Sequence, residues 1–120
     1  MQNLLIMNAD EQPFNLETIQ QIFESEDGFG NVRFDEAGGA LIEAAYTDGQ
    51  DSTFVRLSDS RKGITLTGMT DAALRAALIL DQNLPSMLRI VDWDYSFDLI
   101  LSDFNGVEEL RSAIDMAQAG

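Results

Sequence analysis

The chain is 120 residues long and 45% apolar, with 21 acidic against 7 basic side chains for a net charge of −14, and it contains no His and no Cys. This length and apolar content predict a single globular domain over residues 1–120. The missing residue types exclude Ser-His-Asp and Cys-His catalysis, His-ligated zinc and disulfide cross-links, and the charge disfavours nucleic acid and anionic membranes as partners.

In chain order, the apolar run at residues 3–7 reads as a strand. Asn15 is placed to cap a helix, with Phe14 and Ile19 as a hydrophobic staple and Leu16, Ile19, Ile22 and Phe23 on one face. That helix should end near Glu26, before Gly28 and Gly30. Four short strands follow, with cores at 32–35, 41–47, 53–58 and 63–67 and bends at Gly38-Gly39, Asp48-Gly49 and Ser60 to Lys62. Asp48-Gly49 suits a type I′ hairpin, which needs positive φ at two successive residues. In the fourth strand Ile64 and Leu66 point one way and Thr65 and Thr67 the other, the pattern of a sheet wet on one face.

A second helix starts at Thr70, stapled by Met69 and Leu74, and runs to about Gln82. It is apolar almost all round, which predicts burial in the core, with a subunit contact as the alternative. Residues 87–92 and 96–101 read as two strands, forming either a hairpin or one long bent strand. The last helix opens at Asn105, with Glu108 completing a capping box and Val107, Leu110, Ile114 and Ala117 as its apolar face. The predicted fold is α+β, in the order β-α-β-β-β-β-α-β-β-α: a mostly antiparallel sheet of six to seven strands with three helices packed on it. No stretch approaches the roughly 20 apolar residues of a membrane span. The start, MQNLLIMNADEQ, lacks a basic n-region and cleavage site, so a cytoplasmic product is expected.

The densest candidate site is IVDWDYSFD, in which Asp92, Asp94 and Asp98 alternate with Trp93, Tyr95 and Phe97. An unbroken strand would put the carboxylates on one face and the aromatics on the other. Trp and Tyr are enriched at binding hot spots, and Asp meets Arg or Lys on a basic partner. If the segment is a hairpin, Trp93 to Tyr95 sit at its tip. A metal-dependent enzyme using Asp92 and Asp94 is an alternative, but no GxxxxGK[ST], GxGxxG or EF-hand loop accompanies them. A second acidic zone, Glu24, Glu26 and Asp27, lies at the unfavourable negative end of the first helix. Asp48 is accounted for by its turn. No catalytic residue, metal site or cofactor is predicted.

An acidic domain with DWDYSFD, ESED and the EAAYTDGQDS hairpin, and without catalytic His or Cys, resembles the small immunity proteins encoded beside bacterial toxins. The resemblance implies function by binding. Such proteins neutralise a cognate, often basic, toxin, commonly a nuclease, by capping its active site or a nearby exosite. On that expectation the contact residues are Asp92, Trp93, Asp94, Tyr95 and Asp98, with Glu24, Glu26 and Asp27 beside them. The alternative binding role is an acidic nucleic-acid mimic that occupies a nucleic-acid-binding groove. Oligomeric state is left open.

Overall fold

The computed structural model describes residues 3–34 and 40–119. Side chains alternating at period two decide which side of each strand is buried, and here that alternation runs in phase across the sheet. Leu4 and Ile6 of β1 (Asn3–Asn8), Val55 and Leu57 of β4 (Asp51–Ser58), and Ile64 and Leu66 of β5 (Ile64–Thr67) all face one side and are inaccessible to solvent. Ile42, Ala44 and Tyr46 of β3 (Ala40–Asp48) and Leu88 and Ile90 of β6 (Leu88–Asp92) join them. With β2 (Phe29–Phe34) and β7 (Asp98–Ile100) they form a seven-stranded sheet of order β2-β3-β4-β5-β1-β6-β7, antiparallel at every pairing. The α+β class and element order are as predicted.

All three helices cover the same face. In α1 (Leu16–Ser25) the Asn15 side chain caps the first turn by accepting from Thr18 N at 3.0 Å, and the staple residues Phe14 and Ile19 are both buried. Ile22 and Phe23 then carry the helix onto the sheet, where Phe23 stacks on Phe29 and Phe29 meets Tyr46. In α2 (Asp71–Asn83) Thr70 caps Ala73 N, and Ala72, Ala73, Leu74, Ala76, Ala77 and Leu80 are wholly buried. Its all-round apolarity is therefore spent on the core, because α3 (Val107–Ala119) and a 3-10 turn (Leu101–Asp103) cover the side that the sheet does not.

Three local expectations are corrected. The last helix is capped one residue later than Asn105: Leu110 N donates to Gly106 O, and Glu109 rather than Glu108 reaches back to Asn105 N at 3.3 Å. The β3–β4 hairpin pairs Asp48 with Asp51, so its two-residue loop is Gly49-Gln50, with Gly49 at φ 65° supplying the positive φ at the first loop position. Asp48 is thus a strand residue, and its carboxylate is free to accept from Arg75 Nε at 2.7 Å. Strand β2 starts at Phe29, three residues before the predicted core. The Gly38-Gly39 bend and Asp35 lie outside the described residues.

Candidate protein-interaction site

The 90–98 segment is a hairpin. Strand β6 ends at Asp92 and β7 begins at Asp98, and the residues between form a loop rather than a continued strand. The predicted alternation of three carboxylates against three aromatics is therefore broken. Phe97 turns into the core, while Trp93 and Tyr95 stand 57% and 62% exposed. Hydrogen bonding explains the break. Asp92 is only 1% exposed, and its carboxylate accepts both from the Ser96 backbone N–H, at 2.7 Å, and from the Ser96 hydroxyl. Its carbonyl accepts from Tyr95 N at 3.1 Å. Gln118 of α3 donates to the Ser96 hydroxyl, tying the loop to the last helix.

This closure forces Tyr95 to φ 53°. A bulky side chain pays a steric penalty in that left-handed region, and such residues persist where the surroundings over-determine them. The loop thus presents two large aromatics with the exposed Asp94 between them, on a backbone fixed from beneath.

The sequence-predicted residues take different parts. Trp93, Asp94 and Tyr95 face solvent. Asp92 acts from below, positioning the loop. Asp98 is paired with Arg89, whose Nε and Nη2 each donate to one oxygen of its carboxylate; the Arg89 hydrogen bond, against a smaller opposing effect of burial, holds Asp98 below the usual carboxylate range. Glu24 accepts from Gln20 on its own helix, and Glu26 accepts from Asn83 Nδ2 at 2.6 Å, joining the ends of α1 and α2. Asp27 is exposed beside Gly28. Gly28 holds φ 95°, and a Cβ there would stand 2.6 Å from the Tyr46 ring.

The two acidic zones share one end of the sheet but not one patch. Strand β2 starts, and β6 ends, at the end where β3 turns into β4 and β5 meets the start of β1. Five strand spacings of about 4.8 Å separate β2 from β6, or about 24 Å. Between the zones lie Asp48 and Asp71, each already paired, with Arg75 and Arg111. Five of the seven basic residues, Arg33, Arg56, Arg75, Arg89 and Arg111, are engaged in ion pairs within the chain.

Among the described residues no group of three or more potential ligands converges as a metal site. The metal-dependent reading had rested on Asp92 and Asp94, and the Asp92 carboxylate is already occupied by Ser96. A shallow depression of about 430 Å³ lies against α3, lined by Phe104, Ala113 and Met116 together with Asp103, Glu108 and Glu109. Among the described residues no helix is long and apolar enough to cross a membrane. What sequence reasoning missed is the anchoring by Ser96 and Gln118; the signal present was an Asp closing a strand with Ser four residues on, a pattern suited to side-chain closure of a loop.

Comparison with family models, with curated proteins and with solved structures finds no match.

Proposed function

We propose that this chain is a binding protein that neutralises a cognate basic protein, in the manner of the toxin–immunity proteins it resembles, with the 93–97 loop as the anchor of its contact surface. One observation carries the reading: Trp93 and Tyr95 are more than half exposed on a loop fastened from beneath by Asp92, with Tyr95 held at positive φ. A surface whose aromatics are held in place before binding loses less conformational freedom on association, and Trp and Tyr are the residue types that dominate hot spots.

Charge supports a basic partner. At −14 overall, with most of its own cations engaged in internal pairs, the chain steers basic surfaces toward itself. Asp94, between the aromatics, is the carboxylate best placed to meet an Arg or Lys there. A nuclease, which grips phosphates with such residues, is the proposed class of target, and the proposed site of action is the cytoplasm. The nucleic-acid-mimic reading is less well supported, because Arg75 and Arg111 interrupt the acids along the loop end of the sheet.

The test is co-expression of the tagged chain with the genes beside its own, followed by capture at low and high salt. The expected result is a basic protein whose toxicity the chain suppresses and whose affinity falls as salt rises. Trp93→Ala and Asp94→Lys should each weaken that complex at least about tenfold while leaving urea unfolding unchanged. Capture of a nucleic-acid enzyme encoded elsewhere would move the mimic reading forward. Full affinity in both variants would discard the loop as the anchor.

A further inference from the structure

The chain holds six asparagines, and Asn105 alone is followed by glycine. An asparagine amide carbon lies within reach of the next residue's backbone nitrogen. A succinimide ring closes between them when both groups are free and no Cβ on the following residue obstructs the approach. The fold ties down four of the other five side chains. Asn3 accepts from Gly68 N, Asn15 caps Thr18 N, and Asn83 donates to Glu26 and to Ile79 O. Asn8 is buried, donates to Gln12 O and accepts from Ser86. Asn31 is exposed, but the β-branched Val32 follows it.

Asn105 differs on each of these counts. It is exposed, and among the described residues neither its side-chain amide nor the Gly106 N–H is engaged in a hydrogen bond. Its own backbone N–H donates to Glu109 at 3.3 Å, which leaves the next peptide unit free. Gly106 stands just before α3, where the helix supplies no acceptor for its N–H, and a Cβ there would meet nothing within 4 Å. The pair lines an open depression of about 370 Å³, so water reaches both residues.

We propose that Asn105 is a site of spontaneous covalent modification, deamidating through a succinimide closed on Gly106. The Gly106 nitrogen bonds to Asn105 Cγ, the Cγ–Nδ2 bond breaks, and ammonia leaves with the proton that the nitrogen gave up. Water then opens the ring. Addition at Cγ breaks the new bond and leaves aspartate. Addition at the main-chain carbonyl breaks the original peptide bond and leaves isoaspartate, with the chain routed through Cγ. In sum, an amide and water become a carboxylate and ammonium. Either product takes the net charge from −14 to −15. Isoaspartate also lengthens the main chain immediately before α3, at the junction where Asn105 N meets Glu109.

The test incubates the full folded chain in warm, mildly alkaline buffer over days and then digests it with trypsin. Cleavage after Arg89 and Arg111 releases peptide 90–111, in which Asn105 is the sole side-chain amide. This peptide should gain the mass of an amide-to-acid exchange and split into two products of equal mass. Its rate should lie within about tenfold of that in the urea-unfolded chain. It should also exceed, by at least about tenfold, any such change in peptide 1–33, which carries Asn31. Gly106→Thr keeps a residue of similar capping rank but sets a β-branched side chain beside the nitrogen. It should slow conversion at least about tenfold while leaving thermal unfolding unchanged. A rate that falls short of any of these three limits overturns the inference, and the first two need no variant.

Discussion

Replacing Asp92 by Ala tests whether a buried carboxylate holds the interaction loop. The substitution removes two hydrogen bonds to an ionised acceptor, from the Ser96 N–H and hydroxyl. Bonds of that kind are worth about 1.5–3 kcal/mol each, which bounds the loss at about 6 kcal/mol. Two effects reduce it. Ser96 is exposed, so water satisfies the donors it loses, and the desolvation cost of keeping a carboxylate 1% exposed disappears with the group. The expected net cost is about 2 kcal/mol, or a Tm lower by about 8 °C for a chain of this size. Asp92→Asn keeps an oxygen for the Ser96 N–H and should cost about 1 kcal/mol. Urea unfolding followed by fluorescence suits the question, since Trp93 is the sole tryptophan and sits in the loop itself. Amide exchange at Ser96 should accelerate in parallel. A cost below about 0.5 kcal/mol for Asp92→Ala, with Ser96 exchange unchanged, would show that the loop is held by its backbone turn alone.

Further outcomes follow from neighbouring features. Tyr95→Gly relieves the positive φ and gives up little packing, so stability should rise by up to about 1 kcal/mol in thermal unfolding while partner affinity falls; a loss of stability would mean that the Tyr95 ring packs more than its exposure implies. Gly28→Ala combines a positive φ with a Cβ driven into the Tyr46 ring and should cost about 2 kcal/mol or more in urea unfolding. Asp98, lowered by the Arg89 hydrogen bond, contributes stability that is present above its unfolded pKa of about 3.9 and is lost as pH falls through the lower folded value. The destabilisation by Arg89→Gln should therefore shrink on acidification below that range. Asp81 behaves with the opposite sign: burial raises its pKa, so it favours folding only while protonated, and that contribution is lost as pH rises through the folded value. It also lies in the last turn of α2, against the negative end of the helix dipole. Asp81→Asn should raise stability at pH 7 by about 0.3–1 kcal/mol and have no such effect near pH 3, read as paired thermal melts.

The sequence by itself determined the elements, their order and the buried face. Those properties rest on local chemistry: the Asn15 and Thr70 caps act within one helical turn, and alternation in Leu4-Ile6 or Ile64-Leu66 needs no knowledge of neighbouring strands. Near misses came where two local solutions are close in energy. Gly106 displaced Asn105 as the last helix cap, and Gly49-Gln50 displaced Asp48-Gly49 in the hairpin loop, each by one residue. Tertiary structure decided the roles within 92–98. Alternation alone would have put Trp93, Tyr95 and Phe97 on one side; closure of Asp92 onto Ser96, held by Gln118 from 22 residues away, sent Phe97 inward and the other two outward. It also decided that α2 is interior, because only its packing against both the sheet and α3 supplies an apolar partner for each side. The strand order, with β2 and β7 at the two edges of one sheet, is set by long-range pairing, and no spacing in the sequence encodes which strands those are.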